Sequence, residues 1–175
     1  MIGLPGYGLV YSKYLKNVFT WNCTTALTVV TARCYLTPIE VPVRMTFDAI
    51  VVELGTTFAG NMRLAIYRDN GDTPVGGALI YETASEAKIG TGKNEIVMPN
   101  LTLEPGLYWL AFQSDENTTN MVVEPASFCQ GGTLQTYYYA LGGYGVFTNP
   151  CPAVIVGTAA VVWLRVASIY QPVVP

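Results

Sequence analysis

The chain has 175 residues, of which 51% are hydrophobic and 12% charged, with a formal net charge of −3 and a pI of about 4.8. That length fits one domain of the common size, about 100–150 residues, plus an arm or a long loop, and would cramp two domains. With about half the roughly 25% charge of an ordinary soluble domain, many outward faces must be uncharged, which points to burial against a partner or copies of itself. The acidic balance also disfavours nucleic acid as that partner.

In chain order, "MIGLPGYGLVYSKYLKN" places its lysines after its apolar residues, the reverse of an export signal, so the expectation is a protein made in a cytoplasm. Tyr7, Tyr11, Tyr14, Phe19 and Trp21 are spaced through a glycine-containing segment too irregular for a strand and too apolar to be free. Apart from a short turn around Val10 to Lys16, residues 1–22 read as an arm that docks on another surface.

Residues 23–175 read as one domain. Apolar residues recur with period two, or in short β-branched and aromatic runs, between Gly, Pro, Asn and Asp. The predicted strands are 24–36, 43–54, 62–68, 77–83, 94–98, 107–113, 119–123, 133–140 and 159–170. No βαβ unit is visible. The fold class that follows is all-β: an antiparallel, jelly-roll-like β-sandwich with an extended amino-terminal arm.

Between two of these strands stands "RDNGDTPVGG", with Asp69, Asn70, Gly71 and Asp72 in succession. Asn, Asp and Gly tolerate positive φ, so the cluster reads as a turn. A calcium loop needs oxygen ligands at alternate positions and a terminal Glu, whereas Val75 occupies one such place and Glu82 lies in the next strand.

Other catalytic and metal patterns fail on residue type. The chain has no histidine, which excludes a Ser-His-Asp triad and a Cys-His dyad. Neither "GYG" at 6–8 nor "GGYG" at 142–145 is followed by a phosphate-binding GK[ST]. The adjacent Asp115 and Glu116 read as a solvated loop pair, not a glycosidase dyad. The four cysteines lack a CxxC spacing; Cys23 with Cys34 and Cys129 with Cys151 could bridge neighbouring strands, and the favoured alternative is buried thiols. Sequons at Asn22, Asn100 and Asn117 matter only in a secretory pathway. The most apolar run, "AVIVGTAAVVWL" at 153–164, is too short for a membrane span and reads as buried strand. The expectation is therefore a protein that is not an enzyme, with no metal or cofactor and no membrane or nucleic-acid partner.

Charge is distributed unevenly. All twelve acidic residues fall between Glu40 and Glu124 with only five basic ones, a net −7, while Lys13, Lys16, Arg33 and Arg165 lie outside. From Pro125 to Leu164 there is no charge at all. One reading makes the flanks core strands of the sandwich; the sharper one makes the middle an exposed acidic module and buries the flanks between subunits. On the second reading Tyr137, Tyr138, Tyr139, Tyr144 and Phe147 form a subunit interface, since interface cores favour tyrosine and exclude charge.

The middle of the chain resembles a known module. "VPVRMTFDAIVVEL", "RLAIYRDNGDTPVGGALIYE" and "EIVMPNLTLEPGLYWLAF", within residues 41–113, resemble in order the β-sandwich module of tailed-phage virion proteins found in capsid decoration (cement), tail and fibre contexts. The resemblance implies a virion structural protein, and the motif residues themselves are structural: Pro105-Gly106 for a turn and Trp109 for packing. The expectation is a cement protein on the outer surface of a phage head, bound to the major capsid protein. A homotrimer is expected because such proteins often sit on local threefold axes. The alternative is a tail-fibre or receptor-binding module that stacks a host glycan on Tyr137, Tyr138, Tyr139 and Tyr144.

Overall fold

The computed structural model describes residues 14–15, 25–27, 29–31, 33–54, 60–87, 90–116, 121–124, 137–140, 143–157, 159–160 and 162–169. They form fourteen strands and, among the described residues, no helix. The strands are β1 (Tyr14–Leu15), β2 (Thr25–Leu27), β3 (Arg33–Val41), β4 (Met45–Leu54), β5 (Asn61–Arg68), β6 (Leu79–Glu82) and β7 (Glu86–Ala87). They continue with β8 (Gly92–Leu103), β9 (Gly106–Ser114), β10 (Met121–Glu124), β11 (Tyr137–Ala140), β12 (Ile155–Val156), β13 (Ala159–Ala160) and β14 (Val162–Ile169). Every pairing is antiparallel, in two sheets. The fold is the expected β-sandwich.

In the first sheet β4 lies between β14 and β8, with β1 beyond β14; β10 meets β4 at Leu54 and carries β2 and β13. The second sheet runs β12-β11-β3-β9-β5-β6, with β7 also on β5. The long strands β3, β4, β5, β8 and β9 alternate between sheets except for the β5–β6 pair and the short β7, so each long turn carries the chain across the core. Predicted strand 24–36 divides into β2 and β3, which lie in different sheets.

Between the sheets, Phe47, Ile50, Val52 and Leu54 of β4 meet Tyr35 and Ile39 of β3, Leu64 and Ile66 of β5, and Leu110 and Phe112 of β9. β4 shows how the sequence meets this core. Period two from Met45 and Phe47 would bring Ala49 inward, yet Ile50, Val52 and Leu54 are the core residues. The register shifts at Asp48 against both β8 and β14, and this bulge resets the phase. Asp48 is thereby placed opposite the core, where Arg165 Nε donates to its Oδ1 at 2.6 Å and Arg165 Nη1 reaches Glu95 Oε2 on β8 at 2.6 Å. Arg165, one of the four cations outside the acidic segment, is thus held by two of that segment's carboxylates.

This overturns the picture of an acidic middle module with flanks set apart from it. β14 pairs with β4 from Met45 to Val52, and β3 pairs with β9 from Gly106 to Phe112, so flank and middle strands share both sheets. The arm is partly corrected as well. Tyr14 and Leu15, given to the docking arm, form β1 opposite Arg165 and Leu164, and Leu15 packs on the core. Tyr7, Tyr11, Phe19 and Trp21 lie outside the described residues.

Candidate functional site

The second sheet is apolar on both faces. β9 carries Tyr108, Leu110 and Phe112 inward and Trp109 and Ala111 outward, and all five are buried. Cys34 and Leu36 of β3 and Ala65 and Tyr67 of β5 continue the outward set. A sheet with only one covered face would leave that row in water.

It is covered by residues 143–154 of the charge-free stretch. Phe147, Cys151 and Val154 pack on the row, with the Phe147 ring edge-on to Tyr67 at 6.4 Å between centroids and Tyr137 tilted against Trp109 at 5.4 Å. Polar contacts fasten this cover residue by residue. The hydroxyls of Tyr144 and Ser85 bond at 2.7 Å, and the Gln113 amide both donates to Gly145 O and accepts from Gly145 N. Phe147 N donates to Glu82 Oε2 at 3.1 Å, and that oxygen also faces Arg63 Nη2 at 3.3 Å. Tyr67 OH donates to Thr148 O at 2.7 Å, and Leu79 N to Asn149 Oδ1 at 3.1 Å. Gly76 N donates to Cys151 O and Cys151 N to Gly77 O, at 2.8 and 2.9 Å.

Under the cover, the Tyr67 and Tyr139 hydroxyls lie 3.3 Å apart, beside the thiols of Cys34 and Cys151. Burial raises the pKa of both tyrosines and of Cys34, and pushes the Cys151 thiol up to about 12. Cys34 and Cys151 are buried free thiols, as the favoured sequence reading has them, while Cys23 and Cys129 lie outside the described residues. Such groups stay protonated at neutral pH and act as packing, not as nucleophiles.

Asp69 and Asp115, two of the carboxylates singled out in the sequence, are structural acceptors. Asp69 Oδ1 accepts from Trp109 Nε1 at 2.8 Å, and Oδ2 from Asp72 N at 3.0 Å. Asp72 has φ 63°, Asn70 N donates to Thr73 O, and Asn70 Nδ2 donates to Val75 O, so the cluster is the expected turn. Asp115 takes Asn61 N on one oxygen and Asn61 Nδ2 on the other, at 2.6 and 2.7 Å. Asp115, one of the pair considered as a loop dyad, thus fixes the β5–β9 end of the sheet.

Strand alternation separates the predicted tyrosines. Tyr137 and Tyr139 face the cover, while Tyr138 faces the inter-sheet core, with Arg33 over its ring at 4.3 Å. Tyr139 and Phe147 are 2% and 4% exposed within a single chain, so they cannot furnish a subunit interface as expected. Among the described residues, Tyr137, Tyr138 and Tyr139 form no continuous stacking platform, because they lie on opposite faces. Their surplus apolar surface is absorbed by a third layer of the chain itself. The continuous apolar runs "LYWLAF" and "RCYL" carried the signal for it, since strands buried on both faces lose alternation.

Among the described residues the charge-free stretch exposes Val146 at 70%, Ile155 at 55% and Val156 at 49%, so the run 153–164, expected as buried strand, begins on the surface. Ile155 and Val156 form β12, at the end of the second sheet, and Val146 lies on the cover. β12 is an edge strand of two residues, without charge or proline, and both are exposed. Compared with family models, curated proteins and solved structures, the chain matches none.

Proposed function

We propose that this β-sandwich is a virion structural protein, a cement protein that binds the outer surface of a tailed-phage head. The carrying observation is the exposure of Val146, Ile155 and Val156 on a stretch from which charge is excluded. The resemblance of residues 41–113 supports the virion context. The protein works by burying surface, at about 25 cal/mol for each Å² of apolar area, and repetition over many copies multiplies a modest contact. It needs neither cofactor nor chemistry. The assembly proposed is a homotrimer, with contacts drawn from the exposed valines and Ile155 in place of Tyr139 and Phe147. The capsid is met by the amino-terminal segment, which carries Tyr7, Tyr11, Phe19 and Trp21.

Purified particles provide the test. On a stained gel the protein should approach the major capsid protein in abundance, and antibody labelling should decorate the head. Abundance at the level of tail components, or label confined to the tail, would refute the capsid assignment. Light scattering should report a trimer that Ile155→Asp dissociates without loss of folding; a monomer at micromolar concentration would refute the trimer.

A further inference from the structure

The turn after β5 holds the chain's single Asn-Gly sequence, Asn70-Gly71. Both residues are exposed. Gly71 has φ 75°, nothing lies within 4 Å of where its Cβ would stand, and its N–H makes no hydrogen bond among the described residues. We propose that Asn70 is a site of spontaneous deamidation and isoaspartate formation, with the Gly71 nitrogen as nucleophile and water as co-reactant.

The chemistry balances without any other reagent. The Gly71 amide nitrogen loses its proton and attacks Asn70 Cγ; a C–N bond forms and the side-chain nitrogen leaves as ammonia. Water then opens the five-membered imide at one of its two carbonyls, giving aspartate or isoaspartate. The net change is amide plus water to carboxylic acid plus ammonia. A side chain at position 71 would crowd the attack, and glycine removes that barrier while its backbone freedom admits the bent geometry. Every other asparagine is followed by a residue that carries a side chain: Asn61 precedes Met62, Asn94 precedes Glu95, and Asn100 precedes Leu101.

The product alters the turn in a defined way. Asn70 Nδ2 donates to Val75 O at 2.9 Å, and a carboxylate there has no proton to give and faces that carbonyl with like charge. The isoaspartate form also adds a methylene to the backbone of a tight turn. One residue beyond Val75, Gly76 N holds Cys151 O, so the disturbance is passed to the cover over the second sheet. Ageing of the protein thereby adds a third carboxylate beside Asp69 and Asp72 and loosens the layer that carries Val146.

The test uses the whole folded chain, held for days in mildly alkaline buffer at physiological temperature. Trypsin cuts after Arg68 and Lys88, so Asn70 travels in peptide 69–88. That peptide should gain one dalton several-fold faster than peptides carrying any other asparagine, and incubation in oxygen-18 water should place the label in it. Gly71→Ala should slow the gain several-fold, and Asn70→Ser should remove it. Folding of each variant is checked by circular dichroism, and Asn70→Ser keeps glycine where positive φ requires it. If the native chain leaves peptide 69–88 unchanged while the excised peptide converts, the turn protects Asn70 and the proposal is wrong. Conversion of Gly71→Ala at the original rate would also overturn it.

Discussion

Replacing Asp69 by alanine removes both acceptors that close the acidic turn, and the cost follows from where each donor lies. The Trp109 side chain is fully buried, so its Nε1–H, now bonded to Asp69 at 2.8 Å, is left without a partner. Orphaning a buried donor costs about 1–3 kcal/mol. The Asp72 N–H sits at an exposed residue and finds water instead, adding about 0.5–1 kcal/mol for the lost bond. We expect a total of about 1.5–4 kcal/mol, read from urea unfolding at neutral pH by tryptophan fluorescence and circular dichroism. Asp72→Gly is the control, because it removes a charge from the same turn but suits the φ of 63°, and it should change stability by less than about 1 kcal/mol. If Asp69→Ala and Asp72→Gly unfold at the same urea concentration, the carboxylate is not serving the indole. Added calcium should leave the wild-type transition in place, since both Asp69 oxygens already accept from N–H groups.

Phe147→Ala should cost about 3–5 kcal/mol and lower stability at every protein concentration, because the ring is buried within one chain; a loss that vanishes at high concentration would restore it to an interface. Arg165→Ala leaves Asp48 and Glu95 facing each other and should cost about 2 kcal/mol, between exposed and fully buried pairs, as measured by denaturant unfolding; no loss would mean that solvent replaces the pair. Alkaline titration should destabilise the fold. The Cys151 thiol has its folded value raised from 9.0 to about 12, so its contribution is full below 9.0 and is lost as pH rises toward 12. Tyr139 is raised by burial in the same sense, and Tyr139→Phe should flatten the fall in melting temperature above pH 9, whereas an unchanged slope would assign the fall to other groups.

The strands were legible because β-branched and aromatic residues fell between clusters of Gly, Pro, Asn and Asp, and β4, β5 and β9 stand within two residues of their predicted limits. The turn at Asp69 was legible for the same local reason. The partner of each strand was not, because pairing is set by contacts distant in sequence: nothing near Tyr137 says that it lies against Trp109, or near Arg165 that it lies between Asp48 and Glu95. The charge-free stretch was read as surface awaiting another subunit, since a two-layer sandwich has no place for it. Its residues 143–154 instead lie on the outer face of a sheet whose strands had already lost alternation. Adjacent tyrosines in β11 were taken as one surface, although neighbouring residues of any strand face opposite ways.

The bulge at Asp48 joins positions 117 residues apart. Until Arg165 has been made, β4 lacks the neighbour that β14 will provide from Met45 to Val52, and that edge carries Val51 and Val52 among its hydrogen-bonding groups. A growing chain on the ribosome therefore holds open a strand rich in valine for most of its synthesis. Sheet closure through so distant a pair is slow, and unpaired edges are where nascent chains join one another. The two carboxylates that await Arg165, Asp48 and Glu95, keep a pair of negative charges on that unfinished sheet, and those charges repel a second copy during the interval before the cation arrives.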